Sequence, residues 1–154
     1  STQPQYVARF ESITNTTTDG SNLGRFDVWT SSINMFKDHP VTGVGIGQWR
    51  TIYEASYRLP TENQHLYHAH NNFIQLLGEV GLLGLLGVLI FYGSIIVDNF
   101  VVWFKKRDPY SLCAMIAVIC YVFVFGQVEY TLDNSSGMRI MYFMLATMLQ
   151  LRDN

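Results

Sequence analysis

Three histidines, His65, His68 and His70, crowd the end of a polar stretch, and the residues after them turn apolar enough to enter a bilayer. Imidazole changes charge near neutral pH, and an ionisable group beside hydrocarbon is expensive to keep, so a base working at a membrane surface is the first chemistry to weigh. The bland counterpart is a polar interfacial cluster that ends a transmembrane helix. A metal is a further reading of the spacing, but no cysteine or clear carboxylate supplies a fourth ligand and Glu62 is the only nearby acid, so no metal is expected. No Ser-His-Asp arrangement stands out either. His70 comes immediately before Asn71 and Asn72. Asparagine caps helices well, and Phe73, Leu76, Leu77 and Val80 follow at helical spacing. His70 is therefore expected at the amide-rich start of a helix, a setting that suits a general base.

The second chemical signal is a set of arginines: Arg9, Arg25, Arg50, Arg58 and Arg139. The guanidinium presents a fixed fork of donors that matches phosphate oxygens. Singly, each reads as a solvated charge. Together with an imidazole at the membrane surface, they point to an anionic, lipid-linked substrate. The net charge of −2 provides no basic field, which sets nucleic acid aside as a partner.

The elements that must position these groups are helical and partly membrane-embedded. Of 154 residues, 49% are hydrophobic and only 14% charged, against about 25% charged in a typical soluble domain. No charge occurs from Val80 to Val97 or from Pro109 to Val128, and each run approaches the roughly 20 residues that cross a bilayer. Between them, Lys105-Lys106-Arg107 marks a cytoplasmic loop and puts residues 1 to about 79 on the opposite side. A third run, Ile140 to Leu151, rises only about 18 Å and must begin earlier, near Asn134. Arg139 then lies in its outer turns and needs either snorkelling or a bound anion. The expectation is an all-α polytopic membrane protein fragment. Residues 1–70 form an outer helical loop region, and 71–154 form a membrane region with spans near 73–103, 110–127 and 134–151.

Within the outer region, residues 1–22 read as a polar loop holding a chance-level glycosylation sequon at Asn15. Phe26, Trp29, Ile33 and Phe36 make one apolar stripe on a helix that Asp38-His39-Pro40 stops, with Ser31 on the polar face. Gly43-Val44-Gly45-Ile46-Gly47 reads as a tight connection, or as backbone amides free to approach a phosphate. It lacks the strand and spacing of a dinucleotide fingerprint. A short helix follows from about Gln48 to Arg58. Gly78, Gly81, Gly84 and Gly87 repeat every third residue and predict a helix-packing face. Cys113 and Cys120 lie too far apart along one helix for a disulfide and read as apolar packing residues. A chain starting at Ser1 without signal-peptide features reads as a piece of a longer protein.

Three segments in order, Arg25-Phe26-Asp27-Val28-Trp29, His39-Pro40-Val41-Thr42-Gly43-Val44-Gly45, and His70-Asn71 with nine residues before Gly81-Leu82-Leu83-Gly84, resemble the O-antigen ligase and O-antigen polymerase superfamily of bacterial membrane glycosyltransferases. The last spacing is the family's ligase signature, and the resemblance covers about residues 9 to 90. It implies metal-independent, cofactor-free transfer of a glycan from undecaprenyl pyrophosphate to an acceptor hydroxyl, such as that of a glycolipid or glycan, at the periplasmic face of the bacterial inner membrane. The family's histidine falls on His70 and its loop arginine on Arg25, the expected catalytic pair. Arg9, Asn71 and Arg139 are the expected substrate contacts. The family's preceding membrane helices are missing, so the isolated piece is expected to be inactive. Ligase, polymerase and protein-glycosylating members stay open.

Two rivals come from other classes. A solute-transporter segment would place charged or broken helices near the bilayer midplane, whereas these spans are clean and the polar cluster lies at one surface. A purely structural membrane module would scatter His70 and the arginines in space.

Overall fold

The computed structural model of the protein describes residues 20–60 and 66–153. Five helices account for most of them. Helix α1 (Gly20–Asp38) leads through the glycine loop to α2 (Trp49–Ile52), which widens into a π turn over Tyr53–Tyr57. Helix α3 (Asn72–Lys106) and α4 (Pro109–Val118, continuing as a π turn over Ile119–Val124 and a 3-10 turn over Phe125–Gln127) form an antiparallel pair. Helix α5 (Ser135–Asp153) runs back beside them. The architecture is that of an all-α membrane protein, with no strand among the described residues.

Two of these helices, Asn72–Lys106 and Pro109–Gln127, are long and apolar enough to cross a membrane. Helix α5 packs against both: Tyr92, Ala114, Val118, Val122, Met141 and Leu145 make one buried core. The expected third span exists as a helix in the expected place, but its polar ends dilute it below what length and hydropathy alone would identify as membrane-crossing. The far end is tied by Arg152, whose guanidinium lies 2.7 Å from Asp98. There α3 ends in left-handed Arg107 (φ 56°), and Asp108 caps α4 by accepting from the Ser111 amide at 2.6 Å, with Pro109 in the first turn.

Helix α3 is not continuous. Gly81 has φ 64° and ψ −163°, which breaks the helix between its first turns and its long apolar part. A break strands backbone groups on both sides, and near a membrane there is little water to satisfy them. The glycine loop supplies the partners. The amides of Val44 and Gly45 donate to the carbonyls of Gly78 and Glu79 at 3.0 and 2.8 Å, and the amides of Leu82 and Leu83 donate to the carbonyls of Pro40 and Val41 at 2.9 and 3.1 Å. Contact is so close that a Cβ on Gly81 would lie 2.6 Å from the Gly43 nitrogen and the Val41 carbonyl, and one on Gly43 would enter the Glu79–Val80 peptide. The amides of Gly43, Val44, Gly45 and Gly47 are thus committed within the fold.

The glycines of the three-residue repeat have different surroundings. Gly78 does serve packing, since a Cβ there would meet the Ser32 carbonyl and the Trp49 indole at 3.2 Å. Gly81 serves a backbone conformation, and Gly87 faces open space. Helix α1 also turns differently from expectation. Val28, Ser31, Ser32 and Met35 form its buried face, while Phe26 and Ile33 of the predicted stripe are exposed. The hydroxyls can be buried because each has a partner: Ser31 donates to the Tyr57 carbonyl at 2.7 Å, and Ser32 to the Val28 carbonyl at 2.9 Å while accepting from the Trp49 indole at 3.1 Å. Cys113 and Cys120 are free and exposed rather than packed in the core.

The two classes of glycine predict different responses. In the full-length protein, Gly81→Ala and Gly43→Ala should each lower stability by about 1–3 kcal/mol through backbone strain, whereas Gly87→Ala should be close to neutral. Thermal unfolding of the detergent-purified variants checks this, and equal effects at all three positions would argue against the splinted break.

Candidate active site

The site begins with the cap of α3. Asn71 has an extended backbone, and its side-chain oxygen accepts from the amides of Phe73 and Ile74 at 2.9 and 3.1 Å. Its amide donates to the Gln127 carbonyl at 3.1 Å. Asn72 is fully buried and faces the same turn: its nitrogen donates to the carbonyl of Val122 at 3.0 Å and the hydroxyl of Thr131 at 2.8 Å, and its oxygen accepts from the Thr131 amide at 2.8 Å. A Cβ at Gly126 would overlap the Asn72 amide, so this approach depends on a glycine. The two asparagines clamp the start of α3 to the α4–α5 connection.

The clamp delivers an acid to the histidines. Glu129 lies in that connection, with its carboxylate 3.3 Å from His70 Nδ1 and 3.5 Å from His68 Nε2. The imidazole rings are 4.1 Å apart, and His68 Nδ1 accepts from the His70 backbone amide at 3.3 Å. That bond leaves the His68 proton on Nε2, toward Glu129. His70 Nδ1 likewise faces a carboxylate, which favours the tautomer with the proton on Nδ1 and leaves Nε2 as the basic nitrogen. Burial opposes ionisation of Glu129, but the Tyr130 amide and the His70 imidazole outweigh it and hold its pKa below the ordinary value. The His68 pKa is lowered, by burial first and then by His70.

His70 itself has φ 48°. Left-handed backbone is uncommon for a residue with a Cβ and costs of order 1 kcal/mol or more, and such strain gathers at functional sites. Here it turns the chain between the Ala69 peptide and the Asn71 cap. Ala69 is held from both sides: its carbonyl accepts from the Trp29 indole at 2.7 Å, and its amide donates to Gln75 Oε1 at 2.8 Å.

That indole ties α1, the helix that carries Arg25, to the site. Arg25 precedes Trp29 by four residues, so the two share a helix face with about 6 Å of axial rise between them. It is half-buried, and no ion pair to it occurs among the described residues. The other expected residues divide. Arg139 is exposed on α5 and bonds back to the Ser135 carbonyl at 2.9 Å, without joining the histidine cluster. Arg50 pairs with Glu54 at 3.1 Å. Arg9 and His65 lie outside the described residues. Asn71 is engaged at both ends of its amide within the protein. Glu129 was not legible from spacing, standing 59 residues from His70 and just past an apolar run.

A family model described as O-antigen ligase matches residues 3–89, more than half of the chain. The chain belongs to the O-antigen ligase family. The matched stretch holds Arg25, His70, Asn71 and the Gly81–Gly84 pair, and stops before Glu129. Among curated proteins, the exopolysaccharide production protein ExoQ of Rhizobium meliloti (strain 1021) is 27% identical over 136 residues, covering 81% of this chain and 30% of that protein. The chain therefore spans about 30% of the length of that relative.

If the left-handed turn at His70 is held by its surroundings, glycine should tolerate it better than alanine. His70→Gly should be more stable than His70→Ala by about 1 kcal/mol. Denaturation of the two full-length variants measures the difference, and equal or reversed stabilities would contradict the strained turn.

Proposed function

We propose that this chain carries the reacting centre of a glycan transferase in surface polysaccharide biosynthesis, with undecaprenyl pyrophosphate as the donor's carrier and a sugar hydroxyl as acceptor. The observation that carries the reading is the His70–Glu129 contact at the surface end of the membrane helices, with Arg25 one turn from the bond that fixes Ala69. Glu129 keeps the proton on Nδ1, and Nε2 of His70 accepts the proton from the acceptor hydroxyl. The acceptor oxygen bonds to the anomeric carbon as the carbon–oxygen bond to pyrophosphate breaks. The electron pair leaves on a phosphate oxygen, where Arg25 meets the developing charge, with Arg9 or Arg139 assisting on the phosphates. A single displacement of this kind inverts the sugar configuration. Asn71 serves the substrate by fixing the start of α3 beside the reacting groups.

The magnitudes are adequate. A positioned base contributes about a hundred- to ten-thousand-fold, and a preorganised charge partner about a hundred- to a thousand-fold. On this reading Lys105-Lys106-Arg107 faces the cytoplasm of a bacterial inner membrane, as the positive-inside tendency favours, and the His70 end, with residues 1–70, faces the periplasm.

A second reading has a specific observation behind it. Ligand atoms of His68, His70 and Glu129 lie within 4.8 Å of one another, close enough to hold one metal ion. A metal at these positions would take the His70 nitrogen that faces Glu129 and turn the dyad into a ligand set.

The test uses the full-length protein in proteoliposomes with a lipid pyrophosphate-linked glycan. His70→Ala should lower transfer at least about a hundredfold, and Arg25→Lys should lower it substantially because the charge stays but the planar fork is lost. A chelator should leave the rate unchanged. Wild-type transfer by Arg25→Ala would reject its role, and loss on chelation with recovery on adding zinc would move the assignment to the metal reading.

A further inference from the structure

Next to the histidine pair, on the side of the glycine loop, lies a cavity of about 270 Å³. Tyr67, His68, Gln75, Glu79, Tyr130 and Asp133 line it. Arg25 does not. Its wall carries both donors and acceptors. Glu79 is buried; one carboxylate oxygen accepts from the Gly47 amide at 2.6 Å, the other from Gln75 at 3.0 Å and the Tyr130 hydroxyl at 3.5 Å. Burial, and then the charges of Glu79 and Asp133, raise the Tyr130 pKa, so it remains a hydroxyl donor.

Charge decides what such a cavity can accept. Glu79 and Asp133 make the wall acidic, and the one arginine or lysine on it among the described residues, Arg50, already pairs with Glu54 at 3.1 Å. A pyrophosphate would be repelled here. A neutral molecule with several hydroxyls fits, because each can donate to a carboxylate and accept from the second N–H of the Gln75 amide or the Tyr67 hydroxyl. Tyr67 adds an aromatic face, 57% exposed and backed at 4.1 Å by the Arg50 guanidinium, on which the apolar side of a sugar ring can rest. The volume suits one ring, at the lower end of small-molecule pockets. One wall is His68, whose ring stands 4.1 Å from that of His70.

We propose that this cavity is the acceptor subsite, taking a neutral pyranose and presenting its hydroxyl to His70, while the anionic carrier is held elsewhere by Arg25. The inference rests on the glycan-transfer reading above and divides the two substrates by charge. Tyr67 and Asp133 are specificity-determining residues in this arrangement. Both are exposed, so replacing them leaves the packing intact.

The experiment is saturation-transfer NMR on the full-length protein in detergent, with the methyl pyranosides of glucose, galactose, mannose and N-acetylglucosamine as probes. At least one should bind, and Tyr67→Ala and Asp133→Asn should each weaken binding at least about fivefold. Arg25→Ala should not change it, and inorganic pyrophosphate should not displace it. The proposal is overturned if no pyranoside binds, if both cavity variants bind like wild type, or if pyrophosphate competes. Polysaccharide output from cells carrying His70→Ala or Arg25→Ala reads the transfer assignment separately. If those variants stop output while pyranoside binding fails, the cavity assignment alone falls; if they leave output intact, the transfer reading falls and takes this one with it.

Discussion

The break at Gly81 is the constraint on which the rest of the structure depends. A helix that stops at the edge of a membrane exposes carbonyls behind it and amides ahead of it, and each unpaired group there costs several kcal/mol. The chain resolves this by laying residues 40–45 across the gap, so that Gly78 and Glu79 receive amides and Leu82 and Leu83 find carbonyls. Two glycines, Gly43 and Gly81, face each other at the crossing, since neither has room for a Cβ. The loop then fixes what flanks it. Helix α1 before it and Trp49 after it are both drawn against Gly78, and Trp29 of α1 reaches the Ala69 carbonyl, one residue from the imidazole of the candidate site.

A second clamp works from the other side. Asn72, without exposure of its own, bonds to Val122 and Thr131 and so sets the turn that carries Glu129. Buried amides of this kind hold position firmly, because releasing one leaves several polar groups unpaired at once. His70 stands where the two clamps meet. Its left-handed backbone is strain maintained by Ala69 on one side and the Asn71 cap on the other. Both substrates in the proposed reaction would approach a side chain whose position is over-determined, which is what proton transfer with little reorganisation requires.

Much of this was legible in local sequence. Asparagine before an apolar periodic run marked the start of α3 at its true position, and charge-free runs marked both long helices. The short helix after the glycine loop also lies where spacing put it. What escaped was non-local or ambiguous in period. Glu129 carries no signal beside His70 because 59 residues separate them and only the asparagine clamp joins them. Gly81 was hidden inside a repeat that reads equally well as a packing face. The buried face of α1 was misjudged because Ser31 and Ser32 look like surface residues until their partners, Tyr57 and Trp49, are in place. Arg139, expected either to snorkel or to bind an anion, is exposed and bonds back to the Ser135 carbonyl.

The central claim is that Glu129 sets the His70 tautomer and so creates a base at Nε2. Nitrogen-15 NMR of histidine-labelled full-length protein in bilayers, with His70 assigned by the His70→Gln variant, observes this directly. The account predicts a proton on Nδ1 and a bare Nε2, with that preference lost in Glu129→Ala. A His70 that carries its proton on Nε2, or that keeps the same tautomer without Glu129, would contradict it.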